Sequence, residues 1–121
     1  MLRIPSIKTM DNVIHIDQVY SQFDILIDKW HRKYSVPVHT LGALARYRLY
    51  GYEPGSFLMS VLTNDLFRAM ETADNENRRA LFSICQLVYN EFPSTSWHSI
   101  SNVESYMKEV RNLNDTDSSA N

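Results

Sequence analysis

The sequence predicts an all-α protein: a compact bundle of four to five helices with an extended N-terminal arm and a disordered C-terminal tail. Three observations predict it. Apolar residues recur at steps of three and four in several separate stretches. Residues that cap helices stand at the start of most of these stretches. Glycine and proline are sparse, three and four in 121 residues, whereas a chain of many short strands needs frequent turns of that chemistry.

Residues 1–16 carry no helical period and are read as the arm, with Val13–Ile16 as a short extended piece. A single helical domain follows over 17–113. Asp17 caps a first helix, in which Val19, Phe23, Leu26, Ile27, Trp30 and Tyr34 share one face. Val36-Pro37 breaks the chain. A second helix covers about residues 39–50, with Leu41, Leu44, Ala45 and Leu49 inward. Gly51 follows its last periodic residue, where a left-handed cap favours glycine. Pro54 cannot continue that helix, and Gly55 or Ser56 serves as the next N-cap.

A third helix is expected over about 56–72, on the apolar face Phe57, Leu58, Val61, Leu62, Leu66, Ala69 and Met70. Asn64 and Asp65 interrupt that face. Asp65 is read as partly buried and paired with Arg68 or with an arginine of the second helix, since buried charges need partners. Asp74 opens a fourth helix with Leu81, Ile84, Cys85, Val88 and Phe92 inward, and Pro93 ends it. A loop from Pro93 to Ile100 holds Trp97 and His98. Ser101-Asn102-Val103-Glu104 matches a capping box and opens a fifth helix, with Val103, Tyr106, Met107, Val110 and Leu113 inward. Residues 114–121 are polar, without apolar period, and are read as a disordered tail.

The composition is that of an ordinary globular chain, 44% apolar and 21% charged. Formal net charge is −2, and Asp115 and Asp117 of the tail account for the excess. A neutral body argues against a general nucleic-acid binder. The charge is uneven, however. Lys29, Arg32, Lys33, Arg46 and Arg48 fall within Lys29–Tyr52, together with two histidines and no acid. Such a patch attracts phosphates, nucleotides or acidic surfaces. The last turn of the first helix also gains simply from basic residues at the negative end of its dipole. No apolar run approaches the about 20 residues that span a bilayer. The single cysteine leaves no intrachain disulfide and points to a reducing compartment.

No catalytic residues, metal ligands or cofactor motif are read from the sequence. The four histidines have no metal-ligand spacing, there is no phosphate-binding glycine loop, and Cys85 reads as core filler. The junction between the second and third helices holds most of the candidate ligand-binding residues. Arg46 and Arg48 would neutralise an anion, Tyr50 and Tyr52 would stack on a ring, and Gly55 and Ser56 would offer backbone amides at a helix start. Asn64 and Asp65 complete the set. A helix-turn-helix reading of this junction fails because a recognition helix exposes polar side chains, whereas Phe57 to Met70 is mostly apolar.

Arg46-Tyr47, Gly51, Pro54-Gly55-Ser56-Phe57-Leu58, Leu62, Asn64-Asp65-Leu66, Ala73-Asp74, Asn77, Tyr89-Asn90, Pro93 and Trp97 with Ser99 carry a resemblance. From about Leu41 to Lys108 the chain resembles a group of short proteins of tailed phages, prophages and related mobile elements. In similar sequences the loop often reads Trp-Gly-Ser. His98 replaces that glycine here, which implies altered loop angles. The resemblance supplies no activity. It implies a phage accessory protein in the bacterial cytoplasm, a setting in which small proteins often disarm host defence. The expectation is a non-enzymatic counter-defence protein that sequesters a small anionic ligand, such as a signalling nucleotide, or inhibits a host defence protein. The alternatives are a nucleic-acid-binding regulator and a nucleotide-processing enzyme. The Met and Tyr residues suit a helix-packed homodimer.

Overall fold

The computed structural model describes the backbone of residues 11–120 and the side chains of residues 22–115. Those residues are all-α. The helices are α1 (Asp11–Lys33), α2 (Val38–Tyr50), α3 (Ser56–Leu62), α4 (Leu66–Thr72), α5 (Asn75–Arg79), α6 (Leu81–Glu91) and α7 (Ile100–Ala120), with a 3₁₀ turn at Ser94–Ser96. The α1 helix packs on α2, α2 on α7, and α3 on α4. No helix among the described residues is long and apolar enough to cross a membrane.

Several boundaries differ from the sequence reading. The α1 helix starts at Asp11 and takes in Val13–Ile16, expected to be extended. The physical reason is a period that continues backwards: Val13, Ile16, Tyr20, Phe23 and Ile27 follow at alternating steps of three and four. The rest of the arm, residues 1–10, lies outside the described residues. The α7 helix runs on to Ala120, across all but the last residue of the segment read as tail.

The third and fourth predicted helices each divide in two, the third because Asn64 and Asp65, expected inside it, form a turn and a cap. Asn64 adopts φ 64° and turns the chain between α3 and α4. Asp65 then caps α4, accepting a 3.2 Å hydrogen bond from the Arg68 backbone N–H. It is exposed, and it is Arg68's backbone rather than its guanidinium that Asp65 engages. Asp74 caps α5 in the same way, accepting from the Asn77 N–H at 2.7 Å. Ala80 separates α5 from α6. The start of α7 also shifts. Ser99, not Ser101, is the cap, its hydroxyl accepting from the Asn102 N–H at 3.1 Å. At the other end of the described side chains, Leu113 is exposed rather than inward.

Gly51 holds the end of α2 as expected. It sits at φ 72°, ψ 25°, and its N–H donates to the Tyr47 carbonyl at 3.0 Å. A Cβ here would lie 2.7 Å from the Met107 carbonyl oxygen of α7. Two requirements therefore converge on one glycine: a left-handed backbone and a close helix contact.

An aromatic row runs through the core. Trp30 of α1 stacks on Phe92 at 5.6 Å between centroids, Phe92 stacks on Tyr47 of α2 at 6.1 Å, and Tyr47 meets Tyr106 of α7 at a tilt, 5.2 Å away. Each such pair contributes about 0.5–1.5 kcal/mol beyond its buried area. Leu41, Leu44, Leu62, Ile84, Leu87 and Val103 fill the space around it and are fully buried. Glu91, at the end of α6, gathers much of the basic patch of α1. Lys33 Nζ lies 3.0 Å from its carboxylate and Lys29 Nζ 3.8 Å, and the Tyr34 hydroxyl donates to it at 2.8 Å. Burial pushes Glu91 up, but the hydrogen bonds from Tyr34 and Lys33 and the charges of Lys33 and Lys29 outweigh it. The carboxyl is left below its ordinary range.

Candidate functional site

The α2–α3 junction does not bring its candidate residues to one point. On a helix, residues two apart face nearly opposite ways. Arg46 accordingly lies over the Phe23 ring of α1, 5.9 Å from its centroid. Arg48 turns to α7, where its guanidinium donates to the Tyr106 hydroxyl at 3.0 Å. That hydroxyl in turn donates to the Arg48 carbonyl at 2.6 Å. Arg48 is thus part of the α2–α7 joint. Tyr50 and Tyr52 do meet, with ring centroids 5.6 Å apart, and Tyr52 is exposed. Gly55 caps α3 at φ 96°, and Gly55 and Ser56 are exposed. Asn64 and Asp65 follow the opposite end of α3, where Asn64 lines a second surface that includes neither arginine.

That second surface carries a hollow of about 410 Å³ between α3, α6 and the loop after α6. The α6 helix explains it. Ile84, Leu87 and Val88 point into the core, as periodicity requires. Phe82, Cys85, Gln86 and Tyr89 recur at helical spacing on the other side and line the hollow. Phe82 and Tyr89 are 74% and 73% exposed, so α6 presents an apolar stripe to solvent as well as to the core. Cys85 is exposed, not core filler, because Leu87 takes the inward position. The atoms crowding its side of α6 still desolvate the thiol and raise its pKa.

Trp97 closes the hollow and is fixed from three helices. The Tyr47 hydroxyl of α2 donates to the Ser96 carbonyl at 2.6 Å. The His98 N–H donates to the Leu62 carbonyl of α3 at 2.8 Å. The Asn102 side chain of α7 donates to the Trp97 carbonyl at 2.8 Å. The ring meets Tyr89 edge-on at 6.0 Å and stacks on His98 at 3.6 Å. His98 holds φ 92°, a glycine-type angle kept despite its side chain.

Local costs collect here. Among the described residues, Asn64 and His98 are the non-glycine residues with positive φ, and both flank the hollow. Asparagine tolerates that region, but histidine there costs about 1 kcal/mol or more. The Trp97 indole N–H, like that of Trp30, is buried without a hydrogen-bond partner. Strain and unpaired donors concentrate at functional sites more than elsewhere.

The sequence reading named Asn64 but missed Phe82, Gln86, Tyr89, Asn90 and Trp97 as a group. The available signal was α6 itself, apolar on two faces of one helix. Among the described residues no cluster of three His, Cys, Asp or Glu is placed to hold a metal ion. No protein-family model, curated protein or solved structure matches the chain.

Proposed function

We propose that this protein is a non-enzymatic counter-defence protein of a phage or mobile element, acting in the bacterial cytoplasm by sequestering a small signalling ligand in the hollow between α3 and α6. The observation that carries this reading is the hollow itself. Its about 410 Å³ falls in the range of small-molecule sites. Phe82, Tyr89 and Trp97 supply aromatic wall, and Asn64, Gln86 and Asn90 supply orienting polar groups. Cys85 has no histidine or carboxylate beside it in the lining, so the hollow offers an apolar surface and amides rather than an activated nucleophile. The phage setting rests on the family resemblance.

A specific observation favours a second reading, occlusion of a host protein. Leu66, Phe67 and Met70 of α4 are all exposed, Phe67 at 73%, and exposed aromatic and Met side chains are typical of protein interfaces.

The deciding experiment is native mass spectrometry of the full chain purified from bacteria with active defence systems. An added mass of small-molecule size is expected, lost in the hollow-filling variant Cys85→Trp. A co-purified polypeptide with no small mass would replace this reading with the second. A small mass retained by Cys85→Trp would move the site elsewhere.

A further inference from the structure

We infer that the hollow receives an uncharged, flat heteroaromatic ring of the nucleobase class, held by its ring faces and edges rather than by phosphate. The inference rests on the small-ligand reading above and names the chemistry of the ligand.

The lining decides against charge. Its aromatic members are Phe82, Tyr89 and Trp97, its amides Asn64, Gln86 and Asn90, and the remainder Val61, Cys85 and Val88. None carries a formal charge at neutral pH, the Cys85 thiol being an ordinary neutral thiol moved further that way by partial desolvation. A phosphate or ammonium taken inside would lose water without gaining a counter-charge. Arg46 and Arg48 do not line the hollow, and their guanidinium groups lie by Phe23 of α1 and Tyr106 of α7.

The lining also decides against a plain hydrocarbon. Each carboxamide offers both donors and an acceptor. A saturated chain would cover those groups and leave them unpaired. A nucleobase edge alternates donors and acceptors, which is the pattern carboxamides match best. Ring faces of any base stack on aromatic side chains; one face of Trp97 is covered by His98, but Phe82 and Tyr89 are largely exposed and leave ring surface free. A volume of about 410 Å³ suits one ring system with its sugar.

The full chain is titrated with adenosine, guanosine, cytidine and uridine, none of which carries phosphate. The readout is the indole N–H resonance of Trp97, with Trp30, buried in the core, as internal control. At least one nucleoside is expected to shift Trp97 and leave Trp30 unmoved. Its affinity should be the same at low and high salt, and no greater for the matching monophosphate. Gln86→Ala combined with Asn90→Ala changes two exposed positions of α6 and should weaken binding about tenfold or more, whereas Arg46→Ala with Arg48→Ala should leave it unchanged. The inference is overturned if no nucleoside moves Trp97, if only phosphorylated forms bind and salt abolishes it, or if the amide variant binds as the parent does. A co-purified small molecule without such a ring would overturn the inference and leave the sequestration reading standing. A co-purified polypeptide would remove both.

Discussion

The buried Tyr47 hydroxyl donates a 2.6 Å hydrogen bond to the Ser96 carbonyl, 49 residues further along the chain. This bond joins the core of α2 to the loop that carries Trp97. Burial, and to a lesser extent the neighbouring Tyr106, raise the Tyr47 phenol well above its ordinary range, so it stays a neutral donor. Tyr47→Phe keeps the ring in the aromatic row but leaves the Ser96 carbonyl unpaired. It should cost about 1–3 kcal/mol in denaturant unfolding. The Trp97 resonances should move with it.

Gly51→Ala should destabilise the fold by about 2 kcal/mol or more, from a disfavoured left-handed backbone plus a Cβ against the Met107 carbonyl. Thermal unfolding checks this. Gly55→Ala is the informative companion. It also sits at positive φ, but no atom lies within 4 Å of its Cβ position. Its cost should come from the backbone alone, since φ 96°, ψ 166° is a region that essentially only glycine enters, whereas Gly51→Ala adds the clash with α7.

Acid should weaken the link between α1 and α6. Glu91 has a lowered folded pKa, so its contribution is fully present above the ordinary glutamate value and is lost as pH falls through the folded one. Glu91→Gln should be less stable than the parent at neutral pH, and the gap should close in acid. Melting curves of both proteins across that range test the sign. Because Lys29 and Lys33 are largely exposed, salt should shrink the gap only in part, leaving the Tyr34 hydrogen bond.

Asp65 and Asp74 act as helix caps, which separates structure from chemistry. Asp65→Ala and Asp74→Ala should each cost about 1 kcal/mol, whereas Asp65→Asn should be close to neutral because asparagine caps equally well. Ligand binding by Asp65→Asn should match the parent. A large loss of binding with stability intact would assign Asp65 a direct role at the hollow.

The fold was legible where one local signal had one meaning. Gly51 follows a periodic run and caps it, and Pro93 forces Phe92 to extended angles and ends α6. Errors arose where a residue had two meanings. Asn64-Asp65 looked like polar residues within one long apolar face, and the same pair is also a turn and a cap. Cys85 and Leu87 compete for the inward side of a helix that is apolar on two faces, and periodicity cannot choose between them. The site was harder still. Trp97 joins Tyr89 and Asn64 only through hydrogen bonds from α2, α3 and α7, and no spacing in the sequence encodes those.

Cys85, the chain's single cysteine, lies in the wall of the hollow. A thiol-selective alkylating reagent therefore has one address in this protein, and that address is the proposed site. Because burial raises the thiol's pKa, modification should be slow at neutral pH and quicken in alkali. The protein thus comes with its own occupancy gauge: whatever fills the hollow should shield that sulfur, and the rate of labelling becomes a titration of the ligand without a reporter having to be introduced.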